Sequence, residues 1–154
     1  MPSATPRARR PRPDLAAMTV RLSRALIAAE LPVLERHDLP MWGYSVLVAL
    51  DTRPIRTQAA LADAIHADKT RLIGVLDELQ QRGLIERTPD PADRRARLLS
   101  ITPAGHRLRQ TVQKAIQRNE ERLLAQLPAR DRAGFLKVLR HLADLPVDEV
   151  VGGY

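Results

Sequence analysis

The residues of this sequence best suited to chemistry are arginines in a Pro/Asp-rich stretch just past the middle of the chain. Arg94 and Arg95 follow Asp90 and Asp93 within PDPADRRA, and residues 94–118 contain seven lysines and arginines but no carboxylate. Guanidinium groups bind phosphates through paired hydrogen bonds. A basic block of this kind favours a surface that faces a polyanion, and a solvated face that only adds solubility is the alternative.

The elements around this stretch are two short helices followed by two strands. QAALADAI (58–65) has apolar residues on one face and Thr57 as a cap, and KTRLIGVLDELQQRG (69–83) has a core stripe and ends at Gly83. LIERT and ARLLSIT are β-prone and flank the Pro/Asp-rich turn, so they predict a hairpin. We therefore predict a mainly α fold with a small β-hairpin wing, a winged helix-turn-helix.

The run RGLIERTPDPADRRARLLSITPAG (82–105) resembles the wing and following helix of the MarR family of transcriptional regulators. The preceding helix pair and LPMWGYSVLVAL (39–50) fit the same pattern, so the resemblance covers about residues 14–146. Its most specific part is DPADRRA followed by a strand and TPAG, because helix pairs alone arise easily by chance. The resemblance implies a homodimer that binds a pseudo-palindromic operator in double-stranded DNA.

The second helix of the pair is predicted to enter the major groove, because its N-terminal part reads base edges in helix-turn-helix proteins. The candidate DNA-binding residues of this helix are Lys69, Thr70, Arg71 and Gly74. Arg71 can donate two hydrogen bonds to guanine, Thr70 suits a thymine methyl or a phosphate, and Lys69 suits a phosphate. Asp68 is predicted to cap the helix. Glycine destabilises a helix by about 1 kcal/mol relative to alanine. Close approach to DNA would explain a glycine at position 74, and a tolerated surface glycine is the alternative.

In the wing, the candidate DNA contacts are Arg94, Arg95 and Arg97. The resemblance implies that Arg95 enters the minor groove, where narrow A·T stretches concentrate negative potential. Asp93 is predicted to support the turn or its arginine. An exposed intramolecular salt bridge is the alternative, but at about 0–1 kcal/mol it is too weak to explain two adjacent arginines.

Helices are also predicted at both ends of the chain. The first begins after Asp14 and ends or kinks around Pro32, where a backbone donor is missing. The last two begin at Thr102 and near Asp131, and the stripes of these end helices are too apolar for the small DNA-binding region to bury alone. In the MarR family such helices interlock with a second copy. The predicted division is a disordered basic arm at 1–13, dimerisation helices at 14–36 and 103–146, a DNA-binding region at 39–102 and a tail at 147–154.

Many MarR regulators bind a small aromatic or phenolic acid between the dimerisation helices and the DNA-binding region. By this resemblance His37, Met41, Trp42 and Tyr44 are candidates for the ligand pocket, and three of them lie within MWGY. Ordinary packing of the second helix against the first is the alternative for each.

Composition excludes several classes of protein. A length of 154 residues with 44% hydrophobic content supports one domain with a real core. The absence of cysteine excludes disulfides and thiol catalysis, the four histidines form no close pair, and no GxSxG, P-loop or GxGxxG motif occurs. No apolar run approaches the length of a membrane span. We expect a cytoplasmic protein with no catalytic site, metal or cofactor.

The net charge of +7 is concentrated at the N-terminus, where residues 1–13 carry four arginines and no acid. This arm is expected to follow DNA phosphates, or only to add charge.

The sequence thus predicts a sequence-specific, DNA-binding transcriptional regulator, by resemblance a repressor released by a small aromatic effector. Two alternatives stay open. A nonspecific or architectural DNA-binding protein would bind random duplex as well as an operator. A winged-helix protein-interaction module would show no salt-dependent DNA binding.

Overall fold

The computed structural model describes residues 12–93 and 95–146, which form six helices and one antiparallel two-stranded sheet. The mainly α fold with a hairpin wing is therefore confirmed. Arg94, most of the basic arm and the tail lie outside the described residues. In chain order the elements are α1 (Leu15–Glu35), α2 (Met41–Thr52), α3 (Gln58–Ala64), α4 (Lys69–Gln81), β1 (Ile85–Pro89), β2 (Arg97–Ile101), α5 (Pro103–Leu124) and α6 (Ala129–Ala143).

The hydrophobic core lies between α2, the α3–α4 pair, the sheet and the first half of α5. Its fully buried side chains include Leu47, Leu61, Leu76, Leu99 and Val112. The spacing of apolar residues in the sequence predicts the inward direction of the helical members of this set, and the structure confirms it. Since each buried side chain of this size stabilises a fold by about 1.5–3 kcal/mol, this core holds the helix pair and the hairpin together.

The helix-turn-helix has the predicted signals at its ends. The Thr57 hydroxyl accepts a hydrogen bond from the backbone N–H of Ala60 at 3.0 Å and caps α3. At the end of α4, Gly83 adopts a φ of +68°, and the N–H of Leu84 donates to the carbonyl of Leu79 at 2.9 Å. This arrangement closes a helix with a left-handed residue, which glycine adopts without a Cβ penalty.

The hairpin is antiparallel, with Ile85 opposite Ile101 and Pro89 opposite Arg97. Ile55, in the connection between α2 and α3, pairs with the hairpin through a single antiparallel bridge to Leu99. Its backbone exchanges hydrogen bonds of 2.9 and 2.8 Å with Leu99. This isolated bridge ties the wing to the connection before α3.

The helix α1 continues through Pro32 to Glu35, so the proline does not end it. Proline removes one backbone donor and crowds the preceding turn. Val33 and Leu34, which follow directly, are buried in the core, and their packing holds the last turn in place. Asp14 precedes the first helical residue as predicted, but its side chain makes no capping hydrogen bond.

Two sets of contacts join α5 to the end of α4 and to α2. Thr102 caps α5 by accepting from the N–H of Gly105 at 3.1 Å, and its hydroxyl donates to the carbonyl of Gly83 at 2.6 Å. Further along, Asp51 of α2 pairs with Arg109 at 3.0 Å and contacts Nδ1 of His106. These contacts set the direction in which α5 leaves the wing.

Among the described residues, no helix combines the length and the apolar character that crossing a membrane requires.

Candidate nucleic-acid interface

The start of α4 is held by its cap. The Asp68 carboxylate accepts hydrogen bonds from the backbone N–H groups of Thr70 and Arg71 at 2.9 and 3.2 Å. These two bonds hold the pKa of the Asp68 carboxyl below its usual range, and the bond from Arg71 has the larger effect. The carboxylate is therefore engaged by the helix end, which is the role that the sequence predicts for it.

The candidate residues of α4 all lie at the surface: Lys69, Thr70, Arg71 and Gly74 are exposed. A Cβ built on Gly74 would meet no atom of the protein within 4 Å. Packing within the described residues therefore does not require a glycine at this position. Either a binding partner approaches Gly74 closely, or glycine is simply tolerated at the surface.

One residue of this surface was missed by sequence reasoning. Ile73 lies between Arg71 and Gly74 and is 49% exposed. An apolar side chain at the surface of a recognition helix suits a thymine methyl group. The signal was present in the sequence, because Ile73 falls outside the core stripe formed by Leu72 and Leu76.

The turn of the wing is built by its two aspartates. The carboxylate of Asp93 accepts from the N–H of Arg95 at 3.0 Å, and that of Asp90 accepts from the N–H of Ala92 at 2.8 Å. The N–H of Ala96 donates to the carbonyl of Asp93 at 2.9 Å. Asp93 thus shapes the backbone that presents Arg95, whose side chain is exposed.

Two ion pairs connect the wing to the helices. The Nε of Arg56, just before α3, lies 3.1 Å from Oδ2 of Asp90. Arg87 of β1 pairs with Asp77 of α4 at 2.9 Å. Sequence reasoning did not single out Arg56 or Arg87, because their partners are distant in the chain and only the fold brings them together.

A basic cavity of about 660 Å³ opens between the wing and the helix pair. We call it the wing cavity. Its lining includes Arg56, Arg87, Arg95, Arg97, Thr57 and Gln58. The structure thus brings Arg95 and Arg97 together with two arginines that belong to other elements.

The candidate ligand residues His37, Met41, Trp42 and Tyr44 are each half-buried, near the junction of α1 and α2. The carbonyl of His37 accepts a hydrogen bond from the guanidinium of Arg82 at 3.3 Å. None of the four lines the wing cavity or the two apolar cavities described below.

The surroundings of Tyr44 are acidic. Burial raises the pKa of the Tyr44 hydroxyl, Glu30 and Glu120 raise it further, and Arg109 lowers it. Burial and then Glu120 also raise the pKa of Glu30. Glu30, Glu120 and Arg109 are thus the charged groups that act on the Tyr44 hydroxyl.

An exposed apolar surface covers α6 and the facing sides of α1 and α5. It surrounds two cavities of about 210 and 390 Å³, and both are lined by Leu22, Leu26 and Leu123. Leu136 and Leu139 of α6 complete the larger one. The members of this surface, called here the apolar face, include Met18, Leu22, Leu123, Leu127, Phe135, Leu136, Val138, Leu139 and Leu142, all at least partly exposed.

No cluster of three histidine, aspartate or glutamate side chains that could hold a metal ion occurs within residues 12–93 and 95–146.

Comparison with known proteins shows what these features are similar to. A sequence model of the MarR family matches residues 37–96, from the start of the candidate ligand residues to the wing. A protein of Thauera aromatica, described as a putative transcriptional regulatory protein for the hcr operon, is 30% identical over 99 residues. That match covers 64% of this chain and 60% of the Thauera protein, which is less than two thirds of its length.

Solved structures are similar over most of the chain. CouR, a transcriptional repressor crystallised with a 23-mer DNA duplex, is 29% identical with a TM-score of 0.69, over 84% of this chain and 92% of CouR. CouR of Rhodococcus jostii RHA1 bound to p-coumaroyl-CoA is 28% identical with a TM-score of 0.68, over 86% and 94% of the two chains.

Wild-type MarR of E. coli in its apo form reaches a TM-score of 0.76 at 22% identity, over 88% of this chain and all of that one. At that identity the likeness concerns the fold alone. Residues 37–96 are thus similar to the MarR family of transcriptional regulators, and the wing built around Asp90 and Asp93 lies within that stretch.

Proposed function

We propose that this protein is a homodimeric, sequence-specific DNA-binding repressor that is released from its operator by a small aromatic effector. The observation that carries the proposal is the exposed, capped start of α4. Among the described residues no ion pair engages Lys69 or Arg71. Cations left free at this end of a recognition helix suit contacts to guanine and phosphate.

The wing supports the same partner. Arg95 and Arg97 are exposed beside a turn that Asp93 shapes through the backbone of Arg95. An arginine on such a turn suits a narrow minor groove. CouR, the transcriptional repressor similar to this chain, was crystallised with a DNA duplex, which favours duplex DNA as partner and repression as the direction of regulation.

The apolar face supports the homodimer. Leu22, Phe135 and Leu139 are each more than a third exposed in the single chain, and water-exposed apolar surface of this extent is uncommon in monomers. A second copy that covers it would place two DNA-binding regions about a two-fold axis.

The acidic surroundings of Tyr44 bear on the effector. A free aromatic acid beside Tyr44 would bring a third carboxylate near Glu30 and Glu120, whereas a thioester of the same acid carries no charge on its acyl group. CouR was crystallised with such a thioester, p-coumaroyl-CoA. We therefore propose an aromatic acyl group, free or as its CoA thioester, with the thioester binding more tightly.

Selection of DNA from a random library with the purified protein tests the DNA-binding proposal. We expect a pseudo-palindrome whose half-sites lie about 34–36 Å apart, one helical turn. Recovery of random sequences at equal affinity would identify a nonspecific binder. Absence of salt-dependent binding would instead favour a protein-interaction module.

Titration with phenolic acids and their CoA thioesters tests the effector. Trp42 is the sole tryptophan and reports binding through its fluorescence. We expect operator affinity to fall by about 5- to 150-fold for an active compound, the usual range of allosteric coupling. A broad panel that leaves both fluorescence and DNA binding unchanged would contradict the effector proposal and leave the DNA-binding proposal intact.

A further inference from the structure

The wing cavity contains a cation, Arg56, that forms an ion pair with a buried carboxylate, Asp90. The side chain of Asp90 is only 4% exposed, and that of Arg56 is 67% exposed. One carboxylate oxygen of Asp90 accepts from the N–H of Ala92, and the other lies 3.1 Å from Nε of Arg56. Asp90 therefore pairs with the Arg56 guanidinium through the charges at Nε and Oδ2, and this oxygen forms no hydrogen bond within the described residues.

The charge of the wing cavity is positive. Its four arginines face two carboxylates, because Arg56 pairs with Asp90 and Arg87 pairs with Asp77. Within the described residues, Arg95 and Arg97 have no acidic partner. Two unneutralised guanidiniums in one concave site favour an anion, and a phosphate accepts bonds from several of them at once.

The location of the cavity indicates the source of that phosphate. Its lining joins the wing to the residues before and at the start of α3, and α4 contributes only Gln80 near its C-terminal end. The first helix of a helix-turn-helix crosses the sugar-phosphate backbone, while α4 is proposed to enter the major groove and the wing the adjacent minor groove. One sugar-phosphate strand always separates two adjacent grooves. A protein that inserts α4 and the wing into these grooves therefore straddles that strand, and the concavity between the wing and the start of α3 faces its phosphates.

We propose that the wing cavity binds a backbone phosphate of the DNA, and that Arg56, held by Asp90, donates to that phosphate. This proposal rests on the proposed function. It assigns to the wing cavity a positioning role, in which the contact fixes the register of the protein on the duplex without reading a base. It also joins the connection before α3 to the wing in a single phosphate contact.

Replacement of Arg56 by alanine tests the contact. We expect affinity to fall about five- to tenfold at 0.1 M salt, for operator and random duplex alike, and the salt dependence to lose about one unit of slope. Arg53→Ala is the matched control. It removes the same charge from the same connection, but Arg53 does not line the cavity, so it should have a much smaller effect.

A second measurement locates the phosphate. Operators that carry one neutral methylphosphonate at each backbone position in turn are titrated with the wild type and with Arg56→Ala. At one position in each half-site, between the major-groove and minor-groove contacts, the methylphosphonate should weaken the wild type about five- to tenfold and leave Arg56→Ala unaffected. Additive losses at every position would overturn the proposal.

The outcomes separate this proposal from the proposed function. If the wild type binds no DNA, the proposed function fails and this proposal fails with it. If the wild type selects an operator but Arg56→Ala and Arg53→Ala behave alike, only the wing-cavity proposal fails. Calorimetric titration of the free protein with pyrophosphate covers a free phosphate as the source: saturable micromolar binding that Arg56→Ala abolishes, without coupling to any methylphosphonate, would overturn DNA as the occupant.

Discussion

The two elements proposed to contact DNA each expose an arginine, and the two arginines are expected to contribute differently to binding. Arg71 projects from the capped first turn of α4, where side chains reach base edges. Arg95 projects from the turn of the wing, where the expected partners are phosphates and a narrow minor groove. Base contacts provide specificity and backbone contacts provide affinity, so substitutions at these two residues should have distinguishable effects.

Arg71→Ala should reduce specificity. The loss of a two-bond contact to guanine should weaken operator binding by about 1–3 kcal/mol and random DNA much less. Titration of both duplexes at one salt concentration measures the difference. Equal losses on the two duplexes would show that Arg71 contacts only the backbone.

Arg95→Ala should weaken operator and random duplex together and lower the slope of the salt dependence by about one unit. The expected cause is loss of phosphate and minor-groove attraction, with some sequence effect at A·T-rich flanks. Affinity is measured over a salt series, with circular dichroism as the control for folding. A folded variant with unchanged affinity and slope would mean that the wing does not contact DNA through Arg95.

Gly74→Ala should separate stability from binding. Because a Cβ at Gly74 meets nothing within 4 Å, alanine should raise the free energy of unfolding by about 1 kcal/mol. Close approach of DNA would make the same methyl group lower the operator affinity. Denaturant unfolding and operator titration are measured on one preparation, and a more stable variant with full affinity would identify a tolerated surface glycine.

At the scale of elements, the critical junction is where α5 leaves the wing. The backbone N–H of Thr102 donates to the carbonyl of Leu84 at 3.1 Å, while the Thr102 side chain caps α5. The first turn of α5 therefore packs directly on the backbone of Leu84, just before β1. Gly105 allows this close approach because it has no Cβ. The helix that leads away from the wing is oriented by these contacts.

Gly105→Ala should disrupt this junction. An added Cβ would lie 2.0 Å from the carbonyl oxygen of Leu84, and relief of such overpacking costs about 1–3 kcal/mol or more. Gly134→Ala in α6 is the control, since its Cβ would meet nothing within 4 Å and should stabilise the helix by about 0.5–1 kcal/mol. Denaturant unfolding of both variants measures the free energy of unfolding, which should fall for Gly105→Ala and rise for Gly134→Ala. An unchanged value for Gly105→Ala would contradict the tight packing.

At the scale of the whole molecule, the described residues comprise a packed winged helix-turn-helix and an apolar face that none of them covers. The first half of α5 is buried against the core through Val112, whereas no residue of α6 is buried. Helices whose apolar side chains stay exposed gain stability only when another surface covers them. This asymmetry is the physical basis of the proposed homodimer.

Leu139→Asp should dissociate the homodimer, because a carboxylate at the centre of the apolar face would be desolvated without a partner. Val48→Asp is the control: Val48 is 41% exposed and Leu139 46%, but Val48 belongs to α2, away from that face. Sedimentation equilibrium at micromolar concentration should give a dimer for the wild type and Val48→Asp, and a monomer for Leu139→Asp. A monomeric wild type with undiminished binding to a single half-site would refute the dimer.

The sequence by itself determined the order and type of the elements, because their signals are local. Thr57 and Asp68 cap helices by bonding residues two or three positions away, and Gly83 ends α4 through its own backbone conformation. The apolar spacing of α2 to α4 predicts their buried faces for the same reason. The sequence also indicated candidate contacts at the start of α4 and in the wing, and in the structure Arg71 and Arg95 are exposed there.

Only the tertiary structure decided which residues of different elements meet. Arg56 and Asp90 are 34 positions apart, and Asp51 and His106 are 55 positions apart. No local pattern encodes such pairs, because a surface arginine or aspartate can pair with many oppositely charged groups, and the choice depends on how the core orients the elements. The wing cavity is such a tertiary feature. It forms because the bridge between Leu99 and Ile55 places the wing beside the connection before α3.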